Sequence, residues 1–480
     1  MTVYLAHFDL DGDGLILGEL TLNGPSTSLL FRTRTKLEHS SASVLAGRGI
    51  DGTYVSCGGC ICLGDRSSYR AANGELHTRT LFPHVVVIGD APFDQGSSRV
   101  VAVRFTTTDL GPLSFDPRTS GFAFPTQEVM EALLGSPGAK ATDGALAAYF
   151  NAPHEIVAVD TIIGRVSIRN HTGASSGSAE GIALKNQVTA SMTFNAGIPL
   201  DEAERRIGAL RRFLSMLAGR EQTVPSFVVD YEGDEGAIHT TTVTSTMVGN
   251  AEAARKELCK WDLPLDPNAR PEEFARVLAA WIAREGDRIT ARVTFGECAA
   301  RGHRFTVDRL VAAANMFDLL PADDVPDDVA IPEELAALVS DMRGALKKQA
   351  HSPQRDSLLS SLGRVGKASL TSKVLHRASL LPVALRSQFP DLSRILIFAV
   401  KCRNHCVHGG ALGIDRRHVY SAFPEVTRAL EFVFLCSELI DCGWEVDQWL
   451  SRSYSMSHPL CEFRGDYQRL RKSLKDVSAI

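Results

Sequence analysis

The residues best placed to do chemistry lie in one short run, Arg403-Asn404-His405-Cys406-Val407-His408. A guanidinium offers a fixed fork of donors that grips phosphate. A carboxamide can orient a ribose, a phosphate or a neighbouring imidazole, and an imidazole exchanges protons near neutral pH. Cutting an RNA phosphodiester without a metal needs such groups: a base for the 2′-hydroxyl proton, an acid for the leaving 5′-oxygen, and a cation for charge building on the phosphoryl oxygens. The spacing predicts that Asn404 and His408, four apart, share one helix face, with Arg403 about 100° round the axis from Asn404. One imidazole cannot easily be both acid and base in a single turnover, so two copies meeting across a two-fold interface make chemical sense. The chemistry calls for no metal and no cofactor. Lys401 and His405 are candidate supporting residues on the same helix. Glu438, spaced with Glu431 to share a face of a later helix, is a candidate partner for Arg403.

Such a run has to be held at a helix end. Residues 395–400 are apolar and lead straight into the polar cluster, and Gly409-Gly410 supplies the stop. Further helices are predicted at 305–320, 333–350, 370–386, 392–408 and 424–450, with Pro or Gly breaks between them, which reads as a helical bundle over 301–465. Upstream, β-branched and aromatic runs alternate with turn signals at 15–22, 28–32, 84–89, 99–105, 156–168, 188–194 and 224–231. These predict a β-rich region over 1–300 with sandwich-like or barrel-like pairing, and the small polar run 172–181 marks a solvated loop or a subdivision within it. Two helices interrupt this region, at 201–217 with an Asp201-x-x-Glu204 capping signature and from 271 to 284 after Pro-Glu-Glu. The fold class expected is therefore α+β multidomain, β-rich and then all-α.

Composition sets the outer bounds. The chain is 44% hydrophobic and 22% charged, has no apolar run of membrane-spanning length, and begins without a secretory pattern, so a soluble cytoplasmic protein with no membrane partner is expected. Its ten cysteines are scattered too thinly for a disulfide scaffold. A net charge of -5 hides an asymmetry, because between Arg343 and Arg417 fourteen Lys or Arg stand against three acids. That segment would attract a phosphate-rich partner.

Three other signals have less support. Asp9-Leu-Asp11-Gly-Asp13-Gly14 opens like an EF-hand loop, but Leu20 stands where a bidentate Glu is required, so a turn between strands is the better account. Cys57-Gly-Gly-Cys60-Ile-Cys62 has the spacing of half a zinc site without its second half, which favours core or edge-strand cysteines. Gly363-Arg-Val-Gly366-Lys367 lacks phosphate-loop spacing and reads as a basic turn between helices.

The run at 403–408 matches the HEPN motif, commonly written Arg-Asn-x-x-x-His, and the C-terminal third resembles a HEPN ribonuclease domain. Gly18-Glu-Leu-Thr21, Asp51-Gly-Thr-Tyr-Val-Ser-Cys57, Val85-Val-Val-Ile-Gly89 and Phe105-Thr-Thr-Thr-Asp-Leu110 resemble the N-terminal domain of ApeA-type proteins. The resemblance implies an all-α HEPN bundle and a metal-independent endoribonuclease site of Arg403, Asn404 and His408 at a dimer interface, leaving a 2′,3′-cyclic phosphate. It also implies a role in bacterial anti-phage defence by abortive infection, with RNA, and tRNA in particular, as the target. A homodimer through the HEPN domain is expected, with room for higher assembly. Residues 1–300 would then sense a phage-derived trigger. The alternative is a HEPN-like bundle that only binds RNA or protein, with the first region as an adaptor.

Overall fold

Alternation of apolar and polar residues builds the first of two units, Met1–Ala283, and a 3.6-residue period builds the second, Arg284–Ile480. The computed structural model describes residues 1–10, 14–37, 44–70, 74–135, 146–174, 183–233, 236–248, 256–326, 331–409, 420 and 422–475.

The first unit carries β1 (Thr2–Leu10), β2 (Gly14–Leu22), β3 (Ser28–Thr33), β4 (Val44–Gly49), β5 (Tyr54–Gly58), β6 (Ile61–Arg70), β7 (Gly74–Phe82), β8 (Val85–Gly89) and β9 (Arg99–Phe105). After the short α1 (Leu110–Ser114) come β10 (Ser120–Ala123), α2 (Gln127–Leu134), β11 (Ala147–Phe150), β12 (Glu155–Thr161), β13 (Gly164–Ala174) and β14 (Leu184–Ile198). Then follow α3 (Leu200–Ala218), β15 (Ser226–Glu232), β16 (Ile238–Ser245) and α4 (Pro271–Ala283). Among the described residues, fourteen strands form one continuous antiparallel sheet in the order β12-β13-β14-β9-β15-β16-β8-β5-β4-β1-β2-β3-β7-β6, and β10 pairs with β11 apart from it. The expected sandwich-like or barrel-like pairing is thus replaced by a single hydrogen-bonded run with two ends. Pairings such as β8 with β16 join segments about 150 residues apart and leave no local trace in the sequence.

The two halves of this sheet bury their faces differently. From β1 to β8, the inward positions Phe8, Leu20, Leu29, Phe31, Leu45 and Val55 pack into one cluster with one another. Phe8 and Phe31 meet edge to face at 5.6 Å. Gly18 makes room for them, since a Cβ there would sit 2.8 Å from both rings. In the other half, helices cover the sheet. α3 turns Ile207, Leu210, Phe213, Leu214 and Leu217 inward, packs on β9, and meets Phe274 and Trp281 of α4 through Phe213. The predicted capping box at Asp201 does not form, because the helix starts one residue earlier on buried Leu200 with Pro199 as its cap. Asp201 and Glu202 instead lie in the positive first turn, and Glu202 accepts from Arg206 at 2.6 Å. The single strand expected at 156–168 is a hairpin that turns at exposed Ile162 and ends on Gly164, whose φ of 121° only glycine adopts readily.

The second unit is helical: α5 (Glu285–Ala300), α6 (Val307–Asn315), α7 (Glu333–Lys347), α8 (Pro353–Leu362), α9 (Leu370–Ser379), α10 (Val383–Arg386), α11 (Leu392–His408), α12 (Phe423–Asp441), α13 (Val446–Leu450) and α14 (Pro459–Lys475). α12 is apolar on most faces and lies at the centre, packed by α6, α9, α11 and α14. The predicted helix 370–386 is split by Pro382, and 424–450 is split at Gly443, where φ is 94°. α5 belongs to this unit, so the helical part starts before residue 301, and α14 carries it past 465.

Candidate functional site

α11 positions the predicted run. Its buried stripe, Leu392, Ile395, Leu396, Ala399 and Val400, follows the 3.6-residue period, and Arg403 is the next position on that stripe. The Arg403 side chain therefore runs inward, half-buried, and reaches the last residue of α6. Nη2 donates to Asn315 Oδ1 at 2.8 Å, and Nη1 donates to Asn404 Oδ1 at 3.0 Å. Nε is buried and has no acceptor among the described residues. Among the described residues both partners of this guanidinium are neutral amides, so its charge is oriented without being cancelled.

His408 is exposed on the last turn, where the helix closes on Gly409 with φ 71° and the Gly409 N–H donates to the His405 carbonyl at 2.9 Å. Gly410 lies outside the described residues. Asn404 and Lys401 are exposed and His405 is half-buried. Helical geometry sets Arg403 and His408 about 140° apart round the axis and about 7.5 Å apart along it. One chain thus brings Arg403 to Asn404 and Asn315 and leaves His408 on the open side beside Asn404. Neither Cys406 in the run nor Cys402 just before it is poised for attack. Burial pushes Cys402 up to about 12, and it raises half-buried Cys406 as well.

Glu438 has other partners. It is wholly buried and accepts from Arg288 Nη1 at 2.7 Å, Arg292 Nε at 3.0 Å and Arg377 Nη2 at 3.2 Å. Asp441 joins through Arg288 at 3.1 Å and Arg377, Asp324 also pairs with Arg288, and Glu285 pairs with Arg292 at 2.7 Å. Burial would raise the Asp441 carboxyl, but Arg377 and Arg288 overcome it and hold the group below its ordinary value of 3.8. Arg288 likewise loses charge stability to burial and regains more from Glu438 and Asp324, so its affinity for the proton rises. Glu431 is also committed elsewhere, in a two-pronged pair with Arg309 at 2.8 and 2.9 Å. The candidate pairing of Arg403 with either carboxylate is therefore not formed, and Arg403 makes the two amide contacts instead.

Sequence reasoning missed Asn315, which closes an unremarkable Ala-rich helix 88 positions upstream of its partner. It also missed Arg288, Arg292 and Arg377 as core residues. Most of the basic segment does face solvent, including Arg386, Arg394 and Lys401, whereas Arg377 is consumed in the buried cluster. Arg416 and Arg417 fall outside the described residues.

The other signals resolve in the sheet. β1 and β2 form a hairpin with Leu10 opposite Gly14; Asp11 to Asp13 lie outside the described residues, and Leu20 is core. Cys57 is buried, and the half-buried Cys60 donates its S–H to the Cys57 carbonyl at 3.5 Å. Among the described residues no group of three or more His, Cys, Asp or Glu could hold a metal ion. The residues 363–367 lie between α8 and α9, as a turn. The sheet unit has its own concavity of about 760 Å³, walled by Phe115, Phe122, Tyr149 and Trp261 with Lys185 and Lys260 at its margin.

No protein-family model, curated protein or solved structure matches this chain. Among the described residues no helix is long and apolar enough to cross a membrane.

Proposed function

We propose that this protein is a metal-independent endoribonuclease of the HEPN type, acting in the bacterial cytoplasm in anti-phage defence, with Arg403, Asn404 and His408 as its active residues. The observation that carries the reading is the state of Arg403: a half-buried guanidinium steered by two amide oxygens, with no carboxylate partner among the described residues, on the same helix end as the exposed imidazole of His408. A cation kept in that condition suits an anion that arrives from outside, and the exposed Arg394 and Lys401 on the same helix extend the attraction to a polyanion.

In the proposed reaction His408 takes the 2′-hydroxyl proton, and the freed 2′-oxygen attacks the adjacent phosphorus. The bond to the 5′-oxygen breaks, and that oxygen leaves with a proton from the imidazole of a second copy. Arg403 meets the charge on the phosphoryl oxygens, and Asn404 fixes the Arg403 fork and faces the ribose. A 2′,3′-cyclic phosphate and a 5′-hydroxyl result. The angular separation of Arg403 from His408 is what calls for the homodimer, since two helix ends facing each other can close on one phosphate where a single end cannot. Transfer RNA is the expected target in abortive infection. The aromatic concavity of the sheet unit gives a phage-derived trigger a place to bind.

The test is growth arrest and breakdown of total RNA in excess EDTA for the wild type, Arg403→Ala and His408→Ala. Catalysis requires that both variants spare the cells and the RNA while remaining folded. The rival reading, a HEPN-like bundle that binds RNA or protein without cutting, requires that all three proteins behave alike.

A further inference from the structure

α7 is a 15-residue helix without one buried residue, and its hairpin partner α8 has none either. Where α7 faces α8, Ala336, Val339 and Leu346 are half-buried. About a quarter-turn away runs a second apolar stripe, Leu335, Leu338, Met342 and Ala345, and this one is exposed: Leu335 by 41%, Leu338 by 55% and Met342 by 47%. The steps of three, four and three are the a and d positions of a heptad, the pattern of a helix that pairs with another helix. Three charged residues line the edge of the stripe away from α8, at successive heptad positions: Glu334, Asp341 and Lys348. The helix is thus acidic at its start and basic at its end along the same edge.

That charge order selects the occupant. We propose that the exposed stripe of α7 is a self-association surface, on which α7 of a second copy of this chain lies antiparallel about a two-fold axis at Ser340. In this register Leu335 packs on Ala345 and Leu338 on Met342 of the second copy. Glu334 comes beside Lys348 of the second copy, twice per pair. A parallel arrangement would set Glu334 beside Val339 of the second copy, five positions on, and forfeit both attractions. Asp341 lies beside its own copy near the axis, the one like-charge contact of the pairing. A helix about 22 Å long buries less than a standard protein interface, so the association is concentration-dependent. The surface lies on different helices from the site at the end of α11, and the inference stands whether or not the protein cuts RNA.

The experiment is sedimentation velocity of the full chain from about 1 to 100 μM, with Glu334→Lys and Lys348→Glu prepared separately; both positions are exposed, so folding is not at stake. Each variant alone loses one step of assembly relative to wild type, its dissociation constant rising about tenfold or more. An equimolar mixture of the two regains the wild-type mass, because each mixed pair again sets Lys against Glu at both ends. Asp341→Asn tightens the association by a few fold. Wild type that shows no concentration-dependent step, single variants that match wild type, or a mixture no larger than its components would each overturn the proposal. If α7 docks instead on a different protein or on another part of this chain, the mixture fails to recover.

Discussion

Two arginine clusters in the helical unit meet opposite fates. At the junction of α5, α9 and α12, Arg288, Arg292 and Arg377 are almost wholly buried and each pairs with carboxylates, with Glu438 reaching all three. At the end of α11, Arg403 is only half-buried and its two partners among the described residues are amides. The first arrangement spends its charge on holding helices together, and it works only because every ion has its counter-ion, since an unpaired buried charge is far more costly than an unpaired exposed one. The second leaves a charge over and fixes its direction. The fully neutralised cluster holds the fold, whereas among the described residues the charge of Arg403 is oriented without a carboxylate partner.

Removing one member from each cluster sharpens the contrast. Glu438→Ala leaves three buried guanidinium groups short of an acceptor and is expected to lower stability by about 3–5 kcal/mol in urea unfolding, with activity lost only because the fold is lost. Arg403→Ala should shift the unfolding midpoint little and still reduce RNA cleavage at least about 100-fold, as expected for loss of transition-state charge stabilisation. If the two variants changed stability equally, the distinction between the clusters would fall.

Asn315→Ala probes the positioning of Arg403 from outside the run. It frees the Nη2 contact, and a loss of about tenfold in cleavage is expected, with Asn315→Asp falling at least as far because a carboxylate would cancel the charge. The aspartate variant cleaving like wild type would show that the cation need not be free. Acid titration distinguishes the buried cluster more gently. Asp441 is held below 3.8, so its contribution is fully present above the ordinary aspartate value and is lost as pH falls through the lowered one. Stability should decline on acidification below about pH 4, and Asp441→Asn, though weaker at neutral pH, should flatten that part of the curve.

What could be read ahead of the structure follows the same division. Local periodicity exposed half of the described strands, and it exposed the helix that ends in His408 because an apolar run, a polar cluster and a glycine are neighbours in the chain. α5 escaped because Arg288 and Arg292 occupy the same stripe as Ala291, Phe295 and Cys298, and two arginines at core positions erase the apolar signal. Glu438 was a candidate partner for Arg403 for a related reason: its true partners lie 150, 146 and 61 positions away. The hairpin of β12 and β13 read as one strand because Ile162 and Ile163 turn the chain where polar residues usually do. Sheet order was beyond reach for want of any local record of long-range pairing.

Whether the end of α11 cuts RNA by its own side chains is tested most directly by end-group analysis of RNA treated with purified protein in excess EDTA. Wild type should leave 2′,3′-cyclic phosphate and 5′-hydroxyl ends, and a His408→Ala protein with an unchanged unfolding midpoint should leave none. Equal cleavage by the two proteins, or 5′-phosphate ends that vanish with EDTA, would contradict it.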